Sequence, residues 1–171
     1  TADGGMLCAW FAGSFEGSGD ISIVVSKLDP EKQRWSVPVT VSEGVDRSEQ
    51  NPSFFRAPDG KIWLIYTSQV SRQEGKDNMQ FTSIIMVQKS ADEGQTWGKP
   101  EVLFDKEGTF GRQGIQILSN GRWLYSTWLC EDSADGLTND PTEFQVSDDA
   151  GKTWQAVRMP DSNGRVHANV V

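Results

Sequence analysis

Two carboxylates lie four residues apart in a glycine-rich stretch near the start of the sequence, residues 13–20, which read GSFEGSGD. Hydrolytic sites use such pairs, one group to donate a proton and the other as its partner. Glycines also let a ligand approach the backbone closely. Glu16 and Asp20 are therefore candidate catalytic residues. The alternative interpretation is a solvated loop whose charges serve solubility.

A second set of polar side chains recurs just before three predicted strands. Arginine grips a carboxylate with two parallel hydrogen bonds, and amide and imidazole groups can orient hydroxyls. Ordinary surface charge and a structural histidine are the competing interpretations. The candidate substrate-binding residues are Arg47, Glu49, Asn51, Arg112, Gln113 and His167, with Gln50 and Arg165 beside them.

The elements that position these residues are predicted to be strands. Runs rich in β-branched and aromatic residues show no helical periodicity. The pattern S-x-D-x-G-x-T-W occurs at 90–97 and 147–154, where the aspartate can satisfy turn amides and the glycine can adopt positive φ. A longer version ends at Trp35, so the tryptophans recur at intervals of 62 and 57 residues. Asp-Gly or Asn-Gly turns keep the same period.

Each repeat can be written as four antiparallel strands, A to D. The predicted repeats are 1–45, 46–107 and 108–165, and an orphan innermost strand follows at 166–171. The first repeat lacks strand A, and the orphan segment aligns without a gap on the later A strands. The second and third A strands are predicted at 52–57 and 114–118.

The motifs resemble those of the sialidase-like BNR-repeat family. The two eight-residue turns match its Asp box, and AWFAGSFEGSGD resembles the family's W-F-G-G-T-x-E-G-x-x-D. The likeness continues through NPSFFRAPDGKIWLIY and so covers nearly the whole chain. Carried over by motif, the family's loop acids fall on Glu16 and Asp20 and its asparagine before proline on Asn51. His167-Ala168 looks like the His-Ala that opens an innermost strand.

This resemblance implies an all-β fold, a β-propeller of four-stranded antiparallel blades. Three blades' worth lies in this chain, half of a six-bladed ring, whereas closed propellers have roughly four to eight blades. We expect either a fragment of a six-bladed protein or a half-propeller that pairs with a copy of itself as a homodimer. The implied activity is a sialidase-like glycoside hydrolase acting on terminal sugars of glycans, secreted or periplasmic.

Some residues depart from the sialidase pattern. No Arg-Ile-Pro occurs, and the only tyrosines, Tyr66 and Tyr125, lie within predicted strands and so in the core. These departures disfavour sialic acid and leave other acidic or neutral sugars open. A non-catalytic propeller that binds glycan or protein and a polysaccharide lyase are the alternative functions.

Composition narrows the partners. The formal net charge is −8, and the sixteen Lys and Arg residues are scattered, which argues against nucleic acid or an anionic membrane surface as partner. No apolar stretch is long enough to span a membrane, and this chain carries no signal peptide. Cys8 and Cys130 are predicted to be buried or half-buried free thiols. We expect no cofactor and no metal, because no zinc spacing occurs and the third loop's acids do not match an EF-hand: Glu131, Asp132, Asp135 and Asp140.

Strand direction predicts where a site would lie. If strand A runs up, then the A–B turns and the two eight-residue turns share one face, here called the turn face. The starts of the A strands and the B–C loops share the opposite face, here called the mouth face. Because strand A is innermost in a propeller, the mouth face surrounds the central channel, where a pocket would form.

Overall fold

The computed structural model describes residues 1–74, 79–131 and 139–170. These residues form three antiparallel sheets that follow one another along the chain. The first sheet contains β1 (Met6–Ala12), β2 (Ser22–Asp29), β3 (Arg34–Trp35) and β4 (Val39–Thr40). The second contains β5 (Arg47–Arg56), β6 (Ile62–Val70), β7 (Ile84–Ser90) and β8 (Glu101–Phe104). The third contains β9 (Thr109–Gly111), β10 (Gln116–Ile117), β11 (Trp123–Leu129), β12 (Thr142–Ser147) and β13 (Gln155–Arg158).

The second sheet is a simple meander, and the other two are meanders in which one outer position is divided between two short strands. The second sheet has the order β5-β6-β7-β8, and the third has β10-β11-β12-β13 with β9 also on β11. In the first sheet β3 and β4 both pair with β2. The short strands β8 and β13 form the outer edges of their sheets. Most of their side chains are exposed, as expected of edge strands that contact solvent. The meander is the predicted A-to-D arrangement of a propeller blade.

The hydrophobic cores lie between neighbouring sheets. One cluster joins the second and third sheets through Phe55, Trp63 and Trp123, whose rings meet at 4.8 to 5.9 Å. Another joins the first and second sheets, with Ile23 and Leu64 both fully buried. Face-to-face packing of blades is therefore what holds the chain together, as expected of a propeller.

The turns at 90–97 and 147–154, called the repeat turns below, have the same hydrogen bonds. In the second, Ser147 Oγ donates to Asp149 Oδ1 at 2.8 Å and accepts from Gly151 N at 2.9 Å. Asp149 Oδ1 also accepts from Thr153 N at 2.8 Å. Gly151 has φ +81°, and a Cβ there would lie 2.9 Å from the Trp123 ring. The sequence pattern thus encodes both the turn and its packing onto the core.

Contacts of the repeat turns confirm the direction of the strands. Glu93, in the first repeat turn, forms an ion pair with Arg56 at the end of β5, 2.6 Å between Oε2 and Nη2. The same carboxylate accepts from Ala2 N at 2.9 Å, just before β1. The A–B turns and repeat turns therefore share one face, and the B–C loops lie on the other.

Two A strands begin earlier than the sequence predicted. β5 starts at Arg47 instead of residue 52, and a bulge at Asn51 with φ 53° separates its two halves. The third A strand is split into β9 and β10, both paired with β11. For β5 the prediction failed because the early half, Arg47 to Gln50, is polar, and intrinsic strand preference stops at the apolar residues.

The orphan strand predicted at 166–171 stays a prediction. No strand follows β13 up to residue 170, and His167 has φ 63°, outside the extended region. A strand needs a ladder partner, and no described residue offers one to this segment. β1 likewise pairs only with β2 among the described residues, so the homodimer stays a prediction.

Several smaller expectations can be compared with the structure. Tyr66 and Tyr125 are completely buried, as predicted. Both cysteines are free, but only Cys130 is buried. Cys8 is exposed because Leu7, Ala9 and Phe11 are the β1 side chains that pack on the core, which turns Cys8 outward. None of the helical residues described here forms a helix long and apolar enough to cross a lipid bilayer.

Candidate active site

The glycine-rich loop 13–20 lies against the start of the second sheet. Arg72 N donates to Gly17 O at 2.8 Å, and Ser71 N donates to Asp46 O at 3.1 Å. Gly17 has φ +88°, which favours glycine, and a Cβ there would lie 2.5 Å from Arg72 Nε. The first and second B–C loops and the start of β5 therefore meet on the mouth face.

The two loop acids have different surroundings. Asp20 accepts hydrogen bonds from Ser14 N at 3.0 Å, from Ser14 Oγ at 3.0 Å and from Ser18 Oγ. The Ser18 hydroxyl, followed by that of Ser14, lowers the pKa of the Asp20 carboxyl. Glu16 is exposed and makes no hydrogen bond or ion pair within the described part of the chain. Asp20 stays ionised and braces the loop, whereas Glu16 is available to a ligand.

Arg47 lies half-buried at the first position of β5. Its Nε donates to Ser68 Oγ at 2.8 Å, and its Nη2 donates to Ser68 O at 2.7 Å and to Thr82 O at 3.3 Å. Burial lowers its pKa, and the nearby carboxylates of Glu49 and Glu107 oppose that effect. With two nitrogens occupied, only Nη1 is left to contact a ligand.

Glu49 is 3% exposed and turns toward the connection between β4 and β5. Gly44 N donates to its Oε2 at 3.3 Å, and a Cβ on Gly44 would lie 2.8 Å from its Oε1. Burial raises the pKa of the Glu49 carboxyl, and the Ser42 hydroxyl and Gly44 amide counteract this only in part. Glu49 therefore lies behind the mouth face, where its carboxylate contacts the segment 42–44.

Asn51 and Gln113 lie deeper along the innermost strands. Asn51 forms the β5 bulge, and its Nδ2 is buried without a partner among the described residues. Gln113 contributes its carbonyl oxygen, which accepts from Ser53 Oγ at 3.1 Å and links β5 to the third sheet. Asparagine tolerates the left-handed conformation of the bulge better than most residues. The motif Asn-Pro is thus explained by backbone geometry.

Arg112 and His167 lie near each other at the third sheet. Both are exposed, and the His167 ring meets Trp128 at 4.4 Å. Burial and then the positive charge of Arg112 lower the pKa of His167, which keeps the imidazole neutral at pH 7. Arg165 is exposed nearby in sequence, and its carbonyl accepts from Thr142 Oγ1. These residues can offer hydrogen bonds to an uncharged ligand.

Buried polar side chains concentrate at the mouth ends of the strands. In the β5–β6 ladder they pair across the strands, whereas the turn-face ends of the same strands carry Phe55, Trp63 and Leu64. Burying a polar group is unfavourable unless the group is hydrogen-bonded. Gln69 Oε1 and Thr109 Oγ1 are buried and have no hydrogen-bond partner among the described residues. The buried polar residues of this ladder are Ser48, Glu49, Gln50, Thr67, Ser68 and Gln69.

Sequence reasoning missed a second buried carboxylate. Glu143 in β12 is 6% exposed, and both its oxygens accept from Lys106 Nζ, at 3.0 and 3.1 Å. The alternation of the strand puts Glu143 on the same face as Gln145, also buried, and that alternation was the available signal. Lys106 precedes β9, so this ion pair also belongs to the mouth face.

The third B–C loop is only partly described. Asp132 and Asp135 lie outside the described residues, so the expectation that this loop binds no metal is not tested. Asp140 is completely buried, and its Oδ1 accepts from Glu131 N at 3.1 Å. Among the described residues, no group of three or more His, Cys, Asp or Glu side chains is placed to hold a metal ion.

Three consecutive antiparallel sheets, packed face to face, define part of a β-propeller. The BNR repeat-like domain matches residues 4–171. The chain therefore belongs to the BNR repeat-like family.

Solved structures of similar fold include two sialidases and an arabinanase. The NanB sialidase of Streptococcus pneumoniae has a TM-score of 0.67 at 13% identity, over 92% of this chain and 42% of that one. The Trypanosoma rangeli sialidase has a TM-score of 0.64 at 19% identity, over 92% of this chain and 29% of that one. The Penicillium chrysogenum alpha-L-arabinanase, complexed with arabinobiose, has a TM-score of 0.62 at 16% identity, over 91% of this chain and 45% of that one.

These likenesses concern the fold, because every identity is below 25%. The chain spans less than half the length of each of these three proteins. A search of curated proteins found no match to this chain.

Proposed function

We propose that the protein is a sialidase-like glycoside hydrolase that removes a terminal sugar from a glycan at its mouth face. The observation that carries this proposal is the polarity of the strands, which are aromatic and aliphatic toward the turn face and polar toward the mouth. Convergent polar groups beside a rigid apolar scaffold are typical of small-ligand sites. The fold shared with sialidases and an arabinanase supports the same class of reaction.

Glu16 is proposed as the proton donor to the leaving sugar oxygen. It is exposed on the glycine-rich loop, and no described residue makes a hydrogen bond or ion pair that would hold its carboxylate away from a substrate. Asp20 is proposed as its ionised partner, because the Ser18 and Ser14 hydroxyls lower the pKa of Asp20 and so disfavour a protonated form. A protonated acid and an ionised carboxylate are the division of roles that glycoside hydrolysis requires.

Arg112 and His167 are proposed to orient the sugar at the opposite side of the mouth. The two side chains lie near each other, since the positive charge of Arg112 contributes to lowering the pKa of His167. A neutral imidazole tilted against the Trp128 ring can exchange hydrogen bonds with hydroxyl groups. Because Arg47 already spends Nε and Nη2 on Ser68 and Thr82, a three-arginine grip on a carboxylate is not favoured. A neutral terminal sugar therefore fits best.

The experiment compares Glu16→Gln with wild type on aryl glycosides of several sugars. Loss of a general acid costs about 10²- to 10⁴-fold in rate. We expect this loss on substrates with poor leaving groups and a much smaller loss on dinitrophenyl glycosides, whose leaving group needs no proton. Glu43→Gln, another exposed glutamate near the mouth, is the matched control and should leave both rates unchanged.

Three outcomes would contradict the proposal. Unchanged turnover in Glu16→Gln and Asp20→Asn would remove the assigned acids. An unsaturated product that absorbs in the ultraviolet would identify a lyase. Glycan binding without cleavage of any substrate would indicate a non-catalytic propeller.

A further inference from the structure

Two glycines of the loop 13–20 are places where residues of the second sheet pack on it. The Arg72 side chain lies across Gly17, because a Cβ there would be 2.5 Å from its Nε, 2.8 Å from its Cγ and 3.0 Å from its Cδ. Arg72 N also donates to Gly17 O at 2.8 Å. A Cβ on Gly19 would lie 3.6 Å from Asp46 Cα. Arg72 and Asp46 are therefore held at the edge of the loop that carries the candidate acids.

The side chains of Arg72 and Asp46 are both exposed. Neither side chain makes a hydrogen bond or ion pair to a described residue, whereas the carboxylate of Asp20 is occupied by serine hydroxyls. The backbone of Asp46 is fixed, since Ser71 N donates to its carbonyl oxygen at 3.1 Å. Its φ of 56° is one that aspartate tolerates better than most residues. A guanidinium and a carboxylate are thus presented side by side on the mouth face.

The charges at this junction of the first and second sheets favour an uncharged ligand. Carboxylates on Glu16, Asp20 and Asp46 outnumber the guanidiniums on Arg47 and Arg72. An anionic sugar would therefore meet an excess of negative charge. A hydroxyl group both donates and accepts hydrogen bonds, so a guanidinium that donates and a carboxylate that accepts suit two neighbouring hydroxyls of a sugar ring.

The position of this pair relative to Glu16 indicates which part of a substrate it meets. In the proposed reaction, Glu16 gives its proton to the oxygen that departs with the leaving sugar. Arg112 and His167, which we propose to orient the terminal sugar, belong to the third sheet across the mouth. Arg72 packs on the residue that follows Glu16, so it lies on the side of the leaving sugar.

We propose that Arg72 and Asp46 form the subsite for the leaving sugar, a neutral unit whose neighbouring hydroxyls accept from Arg72 and donate to Asp46. This inference rests on the proposed hydrolysis and narrows its substrate to neutral oligosaccharides. The two residues determine specificity for the second sugar and take no part in the proton transfer.

The first test compares a disaccharide with an aryl glycoside of the same terminal sugar, which has no second sugar to bind. We expect Arg72→Ala and Asp46→Asn to lower kcat/KM for the disaccharide about tenfold or more beyond any loss on the aryl glycoside. Asparagine is chosen because it also tolerates positive φ. Arg34→Ala and Asp59→Asn, exposed residues of the turn face, should leave the ratio of the two rates as in wild type. Equal losses on both substrates would overturn the proposal, because a distorted loop would lower both alike.

The second test separates the subsite from hydrolysis. Glu16→Gln, with and without Arg72→Ala, is titrated on an array of neutral and acidic glycans. We expect neutral oligosaccharides to bind, and Arg72→Ala to weaken that binding about tenfold or more while the binding of monosaccharides changes much less. If this pattern holds although wild type cleaves no glycan, the hydrolase proposal fails and the subsite stands as a binding site. Binding of no neutral oligosaccharide, or binding that Arg72→Ala leaves unchanged, would overturn the subsite.

Discussion

Glu16 and Asp20 show how two acids of one loop acquire different properties. Four residues separate them, yet Asp20 is enclosed by the Ser14 and Ser18 hydroxyls while Glu16 faces solvent. Hydrogen bonds that favour the charged form lower a carboxyl pKa, as they do for Asp20. Glu16 makes no such bond to a described residue, so a bound substrate would supply its contacts. The assignment of acid and partner therefore follows from local hydrogen bonding.

At the same scale, Glu49 should make stability depend on pH. Burial raises its pKa above the ordinary 4.5 in the folded state, so folding binds its proton more tightly. The stability from this protonation is complete below the ordinary value and is lost as pH rises through the folded-state value. In urea unfolding from pH 4 to 8, Glu49→Gln should therefore show a smaller fall in the free energy of unfolding than wild type.

Glu43→Gln is the control for this measurement, because Glu43 is exposed in the same connection. Its profile should match that of wild type. If Glu49→Gln and wild type lose stability with pH in parallel, then the buried carboxyl is not responsible.

The repeat turns are the elements that define each blade. One aspartate satisfies several turn donors, and the following glycine brings the backbone against the core tryptophan. The first hairpin departs from this plan by two residues, and its tryptophan, Trp35, is 49% exposed.

Asp149→Ala should lower the urea midpoint of unfolding, since Thr153 N and Ser147 Oγ would lose their acceptor. The Thr153 hydroxyl, ahead of the other donors, lowers the pKa of Asp149 to about 2 from 3.8. Its contribution is present above 3.8 and is lost as pH falls through about 2, so the difference between wild type and variant should shrink in that window. The check is the midpoint measured at pH 7 and at successive values down to pH 2.

Asp148→Ala is the neighbouring control. Asp148 is exposed and pairs only with the exposed Arg122, an interaction of little net value. Equal midpoints for the two variants would show that the turn hydrogen bonds do not stabilise the blade.

At the scale of the whole molecule, stability depends on packing between blades. Trp63 and Trp123 come from successive sheets, and their ring centroids are 5.7 Å apart beside Phe55. Each blade alone would leave these rings exposed. Toward the mouth face, the same interface between blades is polar, and in our proposal these polar residues bind the sugar.

Trp123→Ala should lower the free energy of unfolding by about 3–5 kcal/mol, because it opens a cavity at the centre of this packing. Trp123 is 4% exposed, whereas Trp35 is 49% exposed, so Trp35→Ala is a matched control with a much smaller expected loss. Denaturant unfolding followed by circular dichroism measures both. Equal losses for the two variants would contradict a core centred between blades.

Local sequence predicted a large part of the fold. The period of the tryptophans and of the Asp-Gly turns identified three repeats of four strands, because a tight turn is specified by a few adjacent residues. The eight-residue pattern predicted its own hydrogen bonds closely. The same logic identified the face on which Glu16, Asp20 and Arg47 lie.

The properties that depend on distant residues could not be predicted. The polar start of β5 became a strand because partners across the ladder, on β6, were available. Arg47 lost two nitrogens to Ser68 and Thr82, and Glu143 gained Lys106, through contacts between separate strands.

The sequence by itself therefore determined the repeats, the turns and the direction of the strands, since these depend on neighbours along the chain. Only the tertiary structure decided which arginine is occupied and which glutamates are buried. Those properties depend on burial and on hydrogen-bond partners from other strands, and neither is written in the local pattern of residues.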